Sequence, residues 1–185
     1  KESIPFVEDF KGFTATPSNT WTIKNNNGNI SKWGFAIAPK EDVNNESAVL
    51  NYFDTDSEDF GEQDYLISPV FDLSGFVTVD LKFKYAYSGI ADKFSDILKV
   101  VVSTDCGETF PEENILFEKI GSALMTTTQR GELFVPSGSF DWKLESINFS
   151  EFVGHSQVML AFIGSNGNGN QLYLDDIEVF TSAAF

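Results

Sequence analysis

Val77-Thr78-Val79-Asp80-Leu81-Lys82-Phe83-Lys84-Tyr85-Ala86-Tyr87 carries the clearest periodic pattern in the chain. Val77, Val79, Leu81, Phe83, Tyr85 and Tyr87 fall on one side; Thr78, Asp80, Lys82 and Lys84 fall on the other. Successive side chains of a strand point to opposite faces, so this stretch reads as a strand with one buried and one wet face. Residues 96–104 follow the same period, with Leu98, Val100 and Val102 facing one way and Ile97 and Val101 the other, which suits a strand covered on both sides. Asp105-Cys106-Gly107 then supplies a turn.

Further strands are expected at residues 65–70, 115–120, 132–135, 143–149, 157–163 and 171–180, and shorter ones near 6–10, 20–24 and 49–53. Residues 25–29 and 38–46 read as loops. Between the last two strands lies Gly164-Ser165-Asn166-Gly167-Asn168-Gly169-Asn170, whose residues accept the positive φ angles of a tight reversal, so a hairpin is expected there. Strands at this spacing, with no long helical period, imply an all-β antiparallel β-sandwich. No break in composition divides the chain, and the expectation is one domain over 1–185.

The 185 residues include 28 Asp plus Glu against 12 Lys plus Arg, a formal charge of −16. A nucleic-acid binder needs a cationic track on the phosphates, so nucleic acid is not an expected partner. With 42% hydrophobic and 15% aromatic residues, 19 of them Phe, the chain is too apolar for an acidic disordered tail. No apolar stretch approaches the roughly 20 residues of a membrane-spanning helix, so no membrane insertion is expected. The opening Lys1-Glu2-Ser3-Ile4-Pro5 lacks the layout of a secretory signal, which leaves a mature fragment or a cytosolic protein. One cysteine, Cys106, permits no internal disulfide, and one histidine, His155, is too few for an HExxH zinc peptidase.

Chemistry-bearing residues gather at the two ends. Val7-Glu8-Asp9-Phe10 and Leu174-Asp175-Asp176-Ile177 would meet if the first and last strands are neighbours, as they often are in a sandwich. A hard cation such as calcium takes six to eight oxygen ligands, and Glu8 and Asp175, with Asp176, are the candidate ligands. Alternation places Asp175 on the side of Tyr173, Ile177 and Val179, where an uncompensated charge is costly. The other reading puts these acids at solvated rims. The Asn-rich loop 25–29 offers amide oxygens but lacks the carboxylates of an EF-hand, and a plain turn is the better account.

Trp21, Trp33, Trp142, Tyr52, Tyr65, Tyr85, Tyr87 and Tyr173 offer rings on which a sugar can stack, although most large aromatics serve a core. Ser156 beside His155 fits no triad geometry, and His155 is expected in an exposed turn. Glu112-Glu113 and the acids of 54–59 read as solvated loops rather than a glycosidase pair. Cys106 has no cationic neighbour in sequence and reads as a packed turn residue.

The order of these motifs resembles that of cleaved-adhesin and MAM-like jelly-roll modules. It runs from Phe6-Val7-Glu8-Asp9-Phe10 through Trp21-Thr22-Ile23 and Trp33 to Asp64-Tyr65-Leu66-Ile67-Ser68-Pro69, and ends at Tyr173-Leu174-Asp175-Asp176-Ile177. Such modules belong to secreted or surface proteins of Bacteroidetes-type bacteria, often beside a pappalysin-like metallopeptidase domain. The resemblance implies a jelly roll, a structural calcium tying the amino-terminal segment to the last strand, and secretion or surface display. The Asn-rich loop after Trp21 departs from the Asp-rich family pattern, and paired MAM cysteines are absent. The function so implied is a non-catalytic accessory binding or adhesion module for a glycan or protein, attached to a catalytic domain of the same polypeptide. The alternatives are a carbohydrate-active enzyme on the same scaffold and a structural spacer.

Overall fold

The computed structural model describes residues 1–15, 20–26, 28, 31–53, 55, 59–90, 96–128 and 130–181. Eleven strands are present among them and no α-helix: β1 (Phe6–Glu8), β2 (Thr22–Asn25), β3 (Trp33–Ile37), β4 (Glu46–Asn51), β5 (Gln63–Ile67), β6 (Asp80–Tyr87), β7 (Ile97–Ser103), β8 (Ile115–Ile120), β9 (Lys143–Asn148), β10 (Met159–Ser165) and β11 (Gln171–Phe180). They form two antiparallel sheets. The first runs β3-β4-β11-β6-β9 and the second β2-β5-β10-β7-β8. In the first sheet β11 is the central strand. Gln171 to Leu174 pair with β4, Ile177 to Val179 pair with β1, and β6 flanks the opposite side. The first and last strands are therefore neighbours, as expected.

Alternation decides which residues fill the space between the sheets. Leu81, Phe83 and Tyr85 of β6, Leu98 and Val100 of β7 and Phe162 of β10 are all fully buried there. Phe83 stands edge-on to Phe117 and Phe162, with ring centroids 5.3 and 5.4 Å away. Each such aromatic contributes roughly 2–3 kcal/mol by burial, with about 1 kcal/mol more from an edge-to-face contact.

Three expectations are corrected and one strand is added. Residues 77–79 are not part of β6, because β9 and β11 both reach only as far as Asp80, leaving Val77 without a ladder partner and 79% exposed. Residues 132–135 form no strand: the segment lies across the outer face of the first sheet, with Phe134 buried and its N–H donated to Asn170 Oδ1. Gly164 to Asn170 is not a hairpin, since β10 and β11 belong to different sheets and this segment carries the chain from one to the other. Trp33–Ile37, a stretch for which the sequence pattern assigns no element, is a strand paired along its length with β4.

β11 also departs from strict alternation. Its register shifts between Asp175 and Glu178, and Asp176 takes a φ of 48°. This bulge flips the pattern, because one extra residue moves everything beyond it to the other face. Leu172, Leu174, Ile177 and Val179 consequently face the inner core, while Tyr173 packs on the outer face with Phe134 and Trp142. Asp175 keeps the side of Tyr173 and loses the side of Ile177 and Val179.

Candidate functional site

The carboxylates singled out at the two ends occupy opposite faces of the first sheet. Glu8 lies on the inner side with Phe6, where its Oε1 accepts the Phe10 N–H at 2.8 Å and its Oε2 the Trp21 indole N–H at 2.9 Å. Burial raises its pKa, with these hydrogen bonds working against the rise. Asp175 is fully buried on the outer side. Its Oδ2 accepts Asn45 Nδ2 at 2.7 Å and stands 2.9 Å from Lys40 Nζ, and its Oδ1 accepts the Asp176 N–H at 2.7 Å. Burial pushes this carboxyl up to about 6 against the pull of Asn45 and Lys40. Asp176 pairs with Lys40 at 2.6 Å and with Lys84 at 3.0 Å.

The donor set of this cluster does not fit calcium. A calcium ion needs six to eight oxygens with free lone pairs directed at it. All six carboxylate oxygens of Glu8, Asp175 and Asp176 meet donors from the chain itself, and an ammonium stands between Asp175 and Asp176. Among the described residues no three His, Cys, Asp or Glu side chains gather around a common point. Loop 25–29 lies partly outside the described residues; within it, Asn25 Oδ1 accepts the Gly28 N–H at 2.9 Å, an ordinary turn contact.

The aromatics sort by exposure. Trp21, Trp33, Trp142, Tyr52, Tyr85, Tyr87 and Tyr173 are buried, whereas Tyr65 is half-buried on the outer face of the second sheet. Strand registers place Lys24, Tyr65, Ile163, Lys99 and Glu118 abreast, one from each of β2, β5, β10, β7 and β8. Lys24 Nζ stands 5.4 Å from the Tyr65 ring centre, and Phe110 leans on that ring with centroids 6.1 Å apart. Lys99 pairs with Glu118 at 2.9 Å, and the Tyr65 hydroxyl bonds Gln63 Oε1 at 3.1 Å. Burial raises the Tyr65 pKa while Lys99 lowers it, and the phenol stays a neutral donor. Together Gln63, Tyr65, Lys99, Phe110, Glu112 and Ile163 outline a hollow enclosing only about 40 Å³. It is a platform with polar groups at its rim rather than a cleft.

Phe110 was not among the residues expected to serve a ligand; its position after Asp105-Cys106-Gly107, on a turn that folds back over β7, was the available signal. His155 is exposed before β10, as expected, and the side chain of Glu112 is 91% exposed. Cys106 is exposed rather than packed, because the turn holds it at a φ of 64° and turns its side chain outward. Asp54, Asp56 and Glu58 of the acidic stretch lie outside the described residues.

No family model matches the chain, and no curated protein matches it. Among solved structures it superposes on the K1 cleaved adhesin domain of Lys-gingipain from Porphyromonas gingivalis W83 with a TM-score of 0.66 at 17% identity, covering 98% of this chain and 100% of that one. The K2 cleaved adhesin domain of Lys-gingipain gives 0.64 at 16% identity, covering 98% and 100%. A family 27 carbohydrate-binding module from Caldicellulosiruptor saccharolyticus, solved with mannohexaose, gives 0.60 at 16% identity, covering 99% and 100%. This chain therefore has the jelly-roll fold of the cleaved adhesin domains, a fold that carbohydrate-binding modules share.

Proposed function

We propose that this chain is a non-catalytic binding module that holds a glycan on the outer face of its second sheet, centred on Tyr65. The observation that carries this reading is the row Lys24, Tyr65, Ile163, Lys99 and Glu118, with Phe110 beside it. A pyranose lays its C–H face on an aromatic ring, and its hydroxyls take hydrogen bonds from groups at the ring's rim. Gln63, Lys99 and Glu112 stand at that rim. One further fact supports the reading: modules of this fold have been solved with mannohexaose and with a mixed-linked tetrasaccharide. The surrounding protein is read as secreted or displayed at the cell surface, with this module as an accessory to a catalytic domain.

The test is titration calorimetry with mannan, mixed-linked glucan and galactan oligosaccharides against the wild type and Tyr65→Ala, with product analysis of the same mixtures. Binding without cleavage, weakened tenfold or more in Tyr65→Ala at unchanged thermal stability, supports the proposal. Product release, or binding indifferent to Tyr65, removes it. Docking to a neighbouring domain is a second reading, favoured by Phe140 at 74% and Leu144 at 58% exposure on the first sheet's outer side.

A further inference from the structure

The outer face of the first sheet bears an arrangement that a sandwich of this kind does not need for its core. Lys40 reaches from the loop after β3 to the bulge of β11, and its side chain is 8% exposed. Its ammonium meets Asp175 Oδ2 at 2.9 Å and Asp176 Oδ1 at 2.6 Å. Trp142 covers it, with the ring centre 5.9 Å away and the indole N–H donated to Pro39 O at 2.9 Å. Asn45, at the other end of the same loop, donates to Asp175 Oδ2 and to Ala38 O.

We propose that Lys40 is the resident cation of this site, a covalently attached counter-ion that takes the place of a divalent metal and makes the clamp between the last strand and the β3–β4 loop independent of metal. Two carboxylates adjacent in sequence, one of them fully buried, demand positive charge, since a buried charge without a partner is expensive. A divalent ion and a fixed side-chain cation are two chemical ways to supply it. They exclude one another, because an ammonium is a donor at the place where a metal needs acceptors. Lys84 pairs with Asp176 Oδ2 at 3.0 Å from the more exposed side.

The experiment is thermal unfolding of the purified chain in excess chelator and in millimolar calcium, for the wild type, Lys40→Met, Lys40→Arg and the pair Lys40→Met with Asp175→Asn. The proposal expects the wild-type midpoint to be the same in both buffers, and Lys40→Met to lower it by roughly 10 °C. It expects Lys40→Arg to retain most of the midpoint, and Asp175→Asn to restore most of what Lys40→Met loses. A wild-type midpoint that falls in chelator and recovers with calcium overturns it. So does a Lys40→Met midpoint equal to that of the wild type, or a double variant no more stable than Lys40→Met alone.

Discussion

The Tyr87 hydroxyl donates to Asp96 Oδ2 at 2.7 Å inside the sandwich, beneath the segment that crosses from β10 to β11. The same carboxylate accepts the N–H groups of Gly167 at 2.7 Å, Gly169 at 3.1 Å and Asn170 at 3.0 Å. Burial raises the Asp96 pKa, and these four donors oppose the rise. Tyr87→Phe should cost about 2 kcal/mol, the worth of a buried hydrogen bond to a charged group. Asp96→Ala should cost about 3–5 kcal/mol, because it leaves buried backbone donors without an acceptor. Urea midpoints with an unchanged m-value check both.

Gly169 sits against that pair with no room for a side chain. A β-carbon built on it stands 2.1 Å from Asp96 Oδ2 and 2.5 Å from the Tyr87 hydroxyl. Gly169→Ala should destabilise by at least about 3 kcal/mol, since neither neighbour can withdraw without breaking the network. Gly34→Ala, on β3 with open space around it, should stay within about 0.5 kcal/mol and serves as the control in the same denaturation series.

Asp64 should make stability fall as pH rises. It is buried beside Tyr52, and its carboxyl is pushed up to about 7, first by burial and then by the charge of Glu62, while the Tyr52 hydroxyl works the other way. Between about pH 4 and pH 7 the folded chain then holds a proton that the unfolded chain has released, so stability declines across that window. Asp64→Asn should remove this component and gain on the order of 2–4 kcal/mol relative to wild type on going from pH 5 to pH 8. Equal slopes for the two proteins would contradict the assignment.

Tyr65→Phe separates stacking from hydrogen bonding on the proposed glycan platform. Keeping the ring and losing only the bond to Gln63, it should hold affinity within about threefold, whereas Tyr65→Ala loses the stacking surface as well. Calorimetric titration with the best-bound oligosaccharide reads the difference.

The sheets were legible because β6 and β7 keep a two-residue period, and one buried face is enough to set that pattern. Trp33–Ile37 escaped because Gly34 and Ala36 carry little hydrophobic signal. Residues 132–135 misled because Leu133, Phe134 and Val135 read as a strand, whereas tertiary packing uses only Phe134. The face of Asp175 was misplaced because a bulge has no signature in side-chain type; the left-handed residue is Asp176, which a sequence offers as readily for charge as for φ. The partner of Asp175 was hidden for another reason: Lys40 lies more than a hundred residues away, and only the topology brings them together. Tyr65 stood among eight candidate rings, and exposure alone distinguished it.

The antiparallel pairing of Phe6 with Val179 sets the start of β1 and the end of β11 side by side at one pole of the sandwich. Anything joined to both would leave side by side, so the module would hang from its polypeptide like a pendant. Tension along such a polypeptide would then open the short β1 ladder rung by rung, as a zipper parts, and leave the eight-residue β6 and the strands beyond it unloaded at first.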